Sequence, residues 1–283
     1  MLLGFLKNPK QAFAFPYLAN YILREVYSNI GVYTMKEDKA YKLLALQEGI
    51  SNRAAKEMID QGLVYAKGKK VTVARGNLWV DTAFKVETPA KPTVLFEDED
   101  VLVLNKPAFV LSEALSTEYG HPLLHRLDKE TSGVLVLVKN EAYQKEAIEA
   151  FKTMQVEKIY FAIVSGRCIE PIRIEEPIVT IKGKGGAVSK ISPSGKPALT
   201  LVEPYLVEGK HSLVRVSIQT GRTHQIRVHL RWAGYAILGD EKYGGRPAER
   251  VMLHAHTLSL LGRTFKAPLP SAFRKYGFEG TIG

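Results

Sequence analysis

His125-Arg126-Leu127-Asp128-Lys129-Glu130-Thr131-Ser132-Gly133 runs directly into Val134-Leu135-Val136-Leu137-Val138, and this join decides the reading of the fold. An unbroken apolar run, β-branched at every other position, suits a short strand buried on both faces. The segment before it carries an imidazole, a guanidinium and a carboxylate and ends on glycine. It reads as a turn feeding a rigid strand, the place where functional groups are commonly mounted. Asp128 has two readings at this point. Either it caps the turn through the amides of Thr131 and Ser132, with Gly133 supplying unusual backbone angles, or it is a reactive carboxylate.

Outward from this join, strands and helices follow one another. Glu141 to Thr153 reads as a helix. Lys158 to Val164 puts Tyr160, Ala162 and Val164 on one face of a strand and Ile159, Phe161 and Ile163 on the other; Ser212 to Gln219 sets Val214, Val216 and Ile218 opposite Arg215 and Ser217. From about Thr223 to Trp232, Ile226, Leu230 and Ala233 recur at i, i+4 and i+7 before Gly234, as in an amphipathic helix. On the N-terminal side, Val94-Leu-Phe96 and Val101-Leu-Val-Leu104 flank Glu97-Asp-Glu-Asp100 as a hairpin.

The second chemically dense stretch is Gly221-Arg-Thr-His-Gln-Ile-Arg-Val-His-Leu-Arg231. From Ser212 to Gly239 the chain carries Arg215, Arg222, Arg227 and Arg231 with no Asp or Glu. Such arginines either solvate a face or bind an anion. Arg227 follows Ile226 by one position, about 100° round a helix, so it flanks the apolar stripe. An arginine beside a core needs a carboxylate partner because unpaired burial is very costly. Asp128 is the most plausible one.

Thr88-Pro-Ala-Lys-Pro-Thr93 reads as a linker, since its prolines lack amide donors and hold their predecessors extended. Before it, Lys39 to Gln47 reads as one helix, and Ser51 caps a second that ends at Gly62. Leu63 to Val73 reads as a small hairpin about Gly68. The cationic residues Lys67, Lys69, Lys70 and Arg75 crowd onto it, with no acidic residue between Tyr65 and Arg75. The expected division is an unassigned extension over 1–35, a small domain over 36–87, the linker over 88–93 and a larger domain over 94–283.

Composition bounds the function. The chain has 283 residues, of which 46% are hydrophobic and 24% charged, which excludes disorder and low-complexity architectures. The lone Cys168 permits neither an intramolecular disulfide nor a cysteine-based zinc site. No apolar run is long enough for a membrane helix, and Lys7 and Pro9 interrupt the start, so a soluble cytoplasmic protein is expected. The formal charge of +10 suits a polyanionic partner. His121 with His125, His224 with His229, and His254 with His256 lie close in sequence without the His-Glu-x-x-His spacing, so no metal site is expected.

LHRLDKETSGVLVLVKN (124–140) closely resembles the signature of the RluA-type pseudouridine synthases. KIYFAIVSG (158–166), TGRTHQIRVHL (220–230) with ILGDEKYG (237–244), and MLHAHTLSL with FKAPLP resemble further motifs of that family, in its order. SNRAAKEMIDQGLVYAKGKKV (51–71) is similar to the S4 RNA-binding module that often precedes such a domain. The resemblance implies an α+β fold: a catalytic domain built on a mixed, largely antiparallel sheet with flanking helices, preceded by a small S4-like α/β domain. It also implies isomerisation of uridine in RNA to pseudouridine, with no cofactor. It puts Asp128 in the position of the catalytic aspartate, Arg227 in that of its partner arginine, and Tyr160 in that of a tyrosine that stacks on the target uracil and serves in proton removal. Arg126 falls on the arginine that helps displace the target nucleotide. His125, Arg222 and Ile226 join it as expected substrate contacts; Arg53, Lys56, Lys67, Lys69 and Lys70 are expected to meet RNA.

Two departures stand out. Phe109 follows Asn105-Lys-Pro107 where the family usually has glycine, and Leu261-Gly262 replaces a His-Pro pair. Large-subunit ribosomal RNA is the favoured substrate, with transfer RNA as the alternative; a monomer without obligate protein partners is expected. A noncatalytic RNA-binding or ribosome-assembly protein would not require a carboxylate beside phosphate. A base-releasing glycosidase would ordinarily want a second carboxylate, for which only Glu130 is at hand.

Overall fold

The computed structural model describes residues 36–87, 90–183 and 186–278. Expectations for residues 1–35, for Thr88 and Pro89 of the linker, and for the end of the larger domain at 279–283 lie outside them. The chain divides into two compact units, residues 1–88 and 89–283.

In the first unit, β1 (Glu37–Lys39) leads into α1 (Ala40–Glu48), which Gly49 closes with φ 65°. Ser51 caps α2 (Asn52–Asp60), its hydroxyl accepting the Ala54 N–H at 3.1 Å and so satisfying one of the helix's orphan donors. β2 (Val64–Ala66) and β3 (Lys69–Lys70) form the hairpin. Its Lys67-Gly68 turn has φ of 49° and 74°, which matches the strand twist. Two further pairings join distant segments: β4 (Asn77–Trp79) with β1, and β5 (Phe84–Val86) with β2. Leu44, Ala55, Ile59, Val64 and Phe84 close a core between the helices and these strands.

In the second unit, β6 (Thr93–Glu97) and β7 (Val101–Lys106) form the hairpin, followed by α3 (Ser112–Tyr119), β8 (Ser132–Val138) and α4 (Glu141–Lys152). Asp98 fixes the hairpin turn by accepting the amides of Asp100 and Val101 at 2.9 Å each. β9 (Glu157–Ser165), β10 (Ile172–Ile174), β11 (Ile178–Gly183) and β12 (Gly186–Ile191) come next. β13 (Thr200–Glu208), β14 (His211–Ile218), α5 (Gln225–Trp232), β15 (Leu253–Leu260) and β16 (Arg263–Lys266) complete the unit. One nine-stranded sheet runs in the order β10-β13-β14-β9-β15-β8-β7-β6, with β16 on β15; β11 and β12 stand apart as a two-stranded ribbon. Every pairing in the large sheet is antiparallel except β8 with β15.

All of β8 is buried. Val134, Val136 and Val138 pack under α4 with Tyr143, Ala147 and Ala150, while Leu135 and Leu137 serve a separate core with Leu104 and Leu115. Gly133 is where β8 meets β15: its φ is 118°, and a Cβ there would lie 2.0 Å from the Ala255 carbonyl oxygen. No side chain fits, so the turn can approach the sheet only through glycine. α5 begins at Gln225, later than its periodicity suggested, because His224 is left-handed with φ 55°. α3 has no counterpart in the sequence reading. Leu261-Gly262, with φ of 47° and 74°, makes the two-residue turn between β15 and β16. Among the described residues, no helix is long and apolar enough to cross a membrane.

Candidate active site

The turn ahead of β8 is held from both sides. Ser112, buried at the start of α3, both accepts from the Leu127 N–H and donates to the Leu127 carbonyl, at 3.1 Å each. On the other side, the Lys129 carbonyl receives the Phe109 N–H at 2.7 Å and Lys106 Nζ at 3.2 Å. Lys106 is wholly buried and also donates to the carbonyls of Pro107 and Val110, at 3.0 and 2.7 Å. Burial, reinforced by Arg250, pushes its pKa down to about 7 against the pull of Glu130, Asp128 and Glu113. Phe109 adopts φ 70°, a conformation that is a genuine outlier for a bulky residue and explains why glycine is usual at its position in the family it resembles.

Between these supports the Asp128 carbonyl accepts the Thr131 N–H at 3.1 Å and closes the turn, so backbone does what the capping alternative asked of the side chain. The carboxylate, about a quarter exposed, faces Arg227 instead: Nη1 lies 3.4 Å from Asp128 Oδ2 and 3.2 Å from Glu130 Oε2. Arg227 is 2% exposed on α5. Its principal partner corrects the sequence expectation. Nε and Nη2 form a bidentate pair with Asp240, both bonds at 2.7 Å, and Asp240 is itself buried. A planar guanidinium can satisfy one carboxylate through two nitrogens and still offer its third. Asp240 reaches this place because Gly239, at φ 78°, lies so close to β15's approach that a Cβ would stand 1.8 Å from the Arg250 carbonyl oxygen. Burial works against the charge on Arg227, but Asp240, then Asp128 and Glu130, hold its pKa above the usual range. Burial likewise opposes Glu130's charge most strongly, but Arg227, a backbone N–H, His224 and Lys129 together hold the carboxyl below its usual range.

Tyr160, on β9 beside Ala255 and Val216, completes the group. Burial first, and the Asp128 charge second, raise its pKa; the residue is a phenol at neutral pH. His224 points Nε2 at Asp128 Oδ2 from 4.0 Å and holds Tyr243 Oη with Nδ1 at 2.7 Å.

A family model described as RNA pseudouridylate synthase matches residues 100–232. An uncharacterized RNA pseudouridine synthase of Helicobacter pylori is 49% identical over 240 residues, covering 83% of this chain and 99% of that protein. The chain belongs to the RNA pseudouridine synthase family. Its members are isomerases that act on RNA. The ribosomal large subunit pseudouridine synthase D of Haemophilus ducreyi is 30% identical over 230 residues, 70% of each chain. The solved structure of human RNA pseudouridylate synthase domain containing 1 shares the fold with a TM-score of 0.56 and 29% identity, covering 66% of this chain and 87% of that one.

In this pseudouridine synthase Arg227 meets Asp128 as expected from the sequence and the Asp128 charge is felt at Tyr160, while the other expected substrate contacts have other partners. Arg126 is exposed and pairs with Glu113 at 2.6 Å. His125 stacks on Phe151 and accepts the Val136 N–H through Nε2 at 3.3 Å; burial, with Lys158, pushes its pKa down to about 4. Arg222 donates to the Pro197 carbonyl at 3.0 Å. Ile226 is a buried member of the core shared by β9, β14 and β15. In the first unit, Arg53 pairs with Glu57 at 3.1 Å, Lys56 lies 4.1 Å over the Tyr41 ring, Lys70 lies 5.8 Å from the Tyr65 ring, and Lys67 and Lys69 are exposed. The sequence reading missed Asp240, Glu130 as an arginine partner, and Lys106. The Gly-Asp step after Ile237-Leu238 was the available signal for the first.

Proposed function

We propose that this enzyme converts uridine to pseudouridine in structured large-subunit ribosomal RNA, with Asp128 as the catalytic carboxylate and no cofactor. The carrying observation is the Asp128 carboxylate, fixed on a turn braced at Leu127 and Lys129 and paired with a buried arginine whose charge is anchored elsewhere by Asp240. Arg227 keeps a negative charge in reach of substrate without consuming it. The reaction breaks the N1–C1′ bond, turns the uracil and joins C5 to C1′, so the base must be flipped into an enclosing pocket. Asp128 serves by bonding to C1′ or by taking the C2′ proton. Tyr160 packs beside the base and serves in proton removal from C5 by relay, its oxygen taking the C5 proton as the phenolic proton it already carries passes on to solvent.

Arg126 serves in displacing the target nucleotide after it leaves Glu113, since an exposed ion pair of this kind contributes only about 0–1 kcal/mol. The ribosomal assignment is supported by the likeness to a ribosomal large subunit pseudouridine synthase D. Residues 36–87 act as an S4-like module, with Arg53, Lys56, Lys67, Lys69 and Lys70 meeting phosphate. The test is to treat ribosomal and transfer RNA transcripts with the enzyme and digest them to nucleosides. Isomerisation leaves mass unchanged and creates a carbodiimide-reactive nucleotide in ribosomal RNA. Loss of the base would mean hydrolysis, and unmodified RNA would mean binding alone.

A further inference from the structure

His224 sits in a left-handed conformation, φ 55° and ψ 23°, at the residue before α5. Backbone strain at a non-glycine residue persists only where the surroundings over-determine it, and it concentrates at functional sites. The helix start does not need His224. Gln225 ties it down independently, accepting the Arg222 N–H at 3.0 Å and the Thr220 hydroxyl at 2.8 Å and donating to the Leu199 carbonyl at 2.9 Å. What His224 gains from its conformation is an imidazole held between Tyr243 and Asp128, with only 10% of the side chain exposed.

The tautomer follows from the hydrogen bonds. Tyr243 Oη accepts the Ser189 N–H at 2.9 Å and lies 2.7 Å from His224 Nδ1. Burial raises the pKa of Tyr243, so its hydroxyl keeps a proton to donate. If that proton goes to Nδ1, both the Tyr243 hydroxyl and Nδ1 are satisfied and the imidazole carries its own proton on Nε2. The reverse arrangement leaves the phenol proton without an acceptor and turns a bare nitrogen lone pair toward a carboxylate. Burial, with Arg227 and Lys242 behind it, lowers the pKa of His224 against Asp128 and Glu130, so the ring is neutral with one N–H, and that N–H faces Asp128 Oδ2.

We infer that His224 is a positioning residue for the aspartate: its Nε2–H and Arg227 Nη1 both address Oδ2, leaving Oδ1 as the oxygen presented to the nucleotide. This inference rests on Asp128 being the catalytic carboxylate. Among the described residues Oδ1 has no hydrogen-bond partner, while Oδ2 accepts from Arg227 at 3.4 Å and has His224 Nε2 4.0 Å away. The longer separation closes to a hydrogen bond when substrate is seated, as catalytic contacts in unliganded enzymes commonly do. Tyr243 also ties this relay to the β11–β12 ribbon through Ser189, so His224 is oriented by a segment outside the main sheet.

The experiment uses the full chain in excess over a large-subunit ribosomal RNA transcript carrying 5-tritiated uridine, with tritium release giving the single-turnover rate and filter binding giving Kd. His224→Asn suits the left-handed backbone, for which asparagine is favoured, but is too short to reach Asp128. It should slow turnover about 10- to 100-fold, the scale of a misplaced reacting group, with Kd within about threefold and an unchanged Tm. His224→Gln, whose amide N–H reaches nearly as far as Nε2, should recover most of the loss. Tyr243→Phe should give a smaller loss that adds nothing to His224→Asn. A wild-type rate in His224→Asn, a loss confined to Kd, or a glutamine variant no better than asparagine overturns the inference. Asp128→Asn run in parallel separates the two ideas: an active Asp128→Asn refutes the catalytic reading itself, whereas an inactive one beside a fully active His224→Asn refutes only the role of His224.

Discussion

Charge is organised in opposite ways in the two units. Around Arg227 the charged groups are buried or half-buried and share one guanidinium, and two of them, Asp128 and Glu130, rest on a turn whose backbone is gripped by Ser112, Phe109 and Lys106. On the β2–β3 hairpin and α2, Lys67 and Lys69 are exposed, Arg53 meets Glu57 on the surface, and Lys56 and Lys70 lie near tyrosine rings. A buried pair that loses one member strands the other at high cost; an exposed lysine can leave its neighbour for a phosphate almost freely. The first arrangement suits chemistry, which needs fixed geometry, and the second suits a polyanion whose path varies.

The largest expected effect comes from breaking the buried side. Arg227→Met or Asp240→Asn should each destabilise the second unit by about 3–5 kcal/mol. A double-mutant cycle by urea unfolding should show strong coupling between Arg227 and Asp240, and coupling of only about 1 kcal/mol or less between Arg227 and the partly exposed Asp128. Equal couplings would mean that the bidentate pair is not the anchor.

The next effect is of pH. Arg250 donates to Ser132 Oγ at 2.8 Å, so the Ser132 proton goes to His254 Nδ1 at 2.7 Å. Burial, with Arg250, pushes the His254 pKa down to about 3, whereas an unfolded histidine titrates near 6.5. Between those values the unfolded chain binds a proton that the folded chain refuses. Stability should therefore fall as pH drops below about 6.5, by up to about 1.4 kcal/mol per pH unit from this residue. Unfolding at pH 7, 6 and 5 measures the slope, and His254→Asn should flatten it. The same slope in both proteins would assign the effect to other groups.

The smallest structural effect belongs to the exposed side. Replacing Lys67, Lys69 and Lys70 by alanine should leave Tm and saturated turnover close to wild type. It should also weaken RNA binding, and the dependence of log K on log salt should flatten by about 0.7 to 0.9 per lost phosphate contact. Unchanged affinity would remove the hairpin from the RNA interface, and lost saturated turnover would give it a part in building the site.

Local pattern made much of this legible. The all-buried β8 was visible in its apolar run, α2 in its Ser51 cap, and the pairing of Arg227 with a carboxylate in its position beside the α5 stripe. What was missed depends on distant contacts. Asp240 gives no periodic signal; it matters because Gly239 lets it reach Arg227 across a close backbone approach. Lys106 reads as a strand-end cation and is instead wholly buried on three carbonyls. α3 buries only Ser112 and Leu115, too little apolar content to show a helical period, although Ser112 braces the site. The β1–β4 and β2–β5 pairs are three residues long, so neither strand carries enough alternation to be seen alone.

The central claim is that a braced, arginine-paired Asp128 carries the chemistry while RNA affinity resides elsewhere. Single-turnover tritium release from 5-tritiated ribosomal RNA, measured with Kd for wild type and Asp128→Asn, tests it directly. The substitution removes charge and basicity with little change in volume, so the account predicts a rate lower by about 10⁴-fold or more, with Kd within about threefold because phosphate contacts carry the affinity. Substantial tritium release from the asparagine variant, or a loss explained by Kd alone, would contradict it.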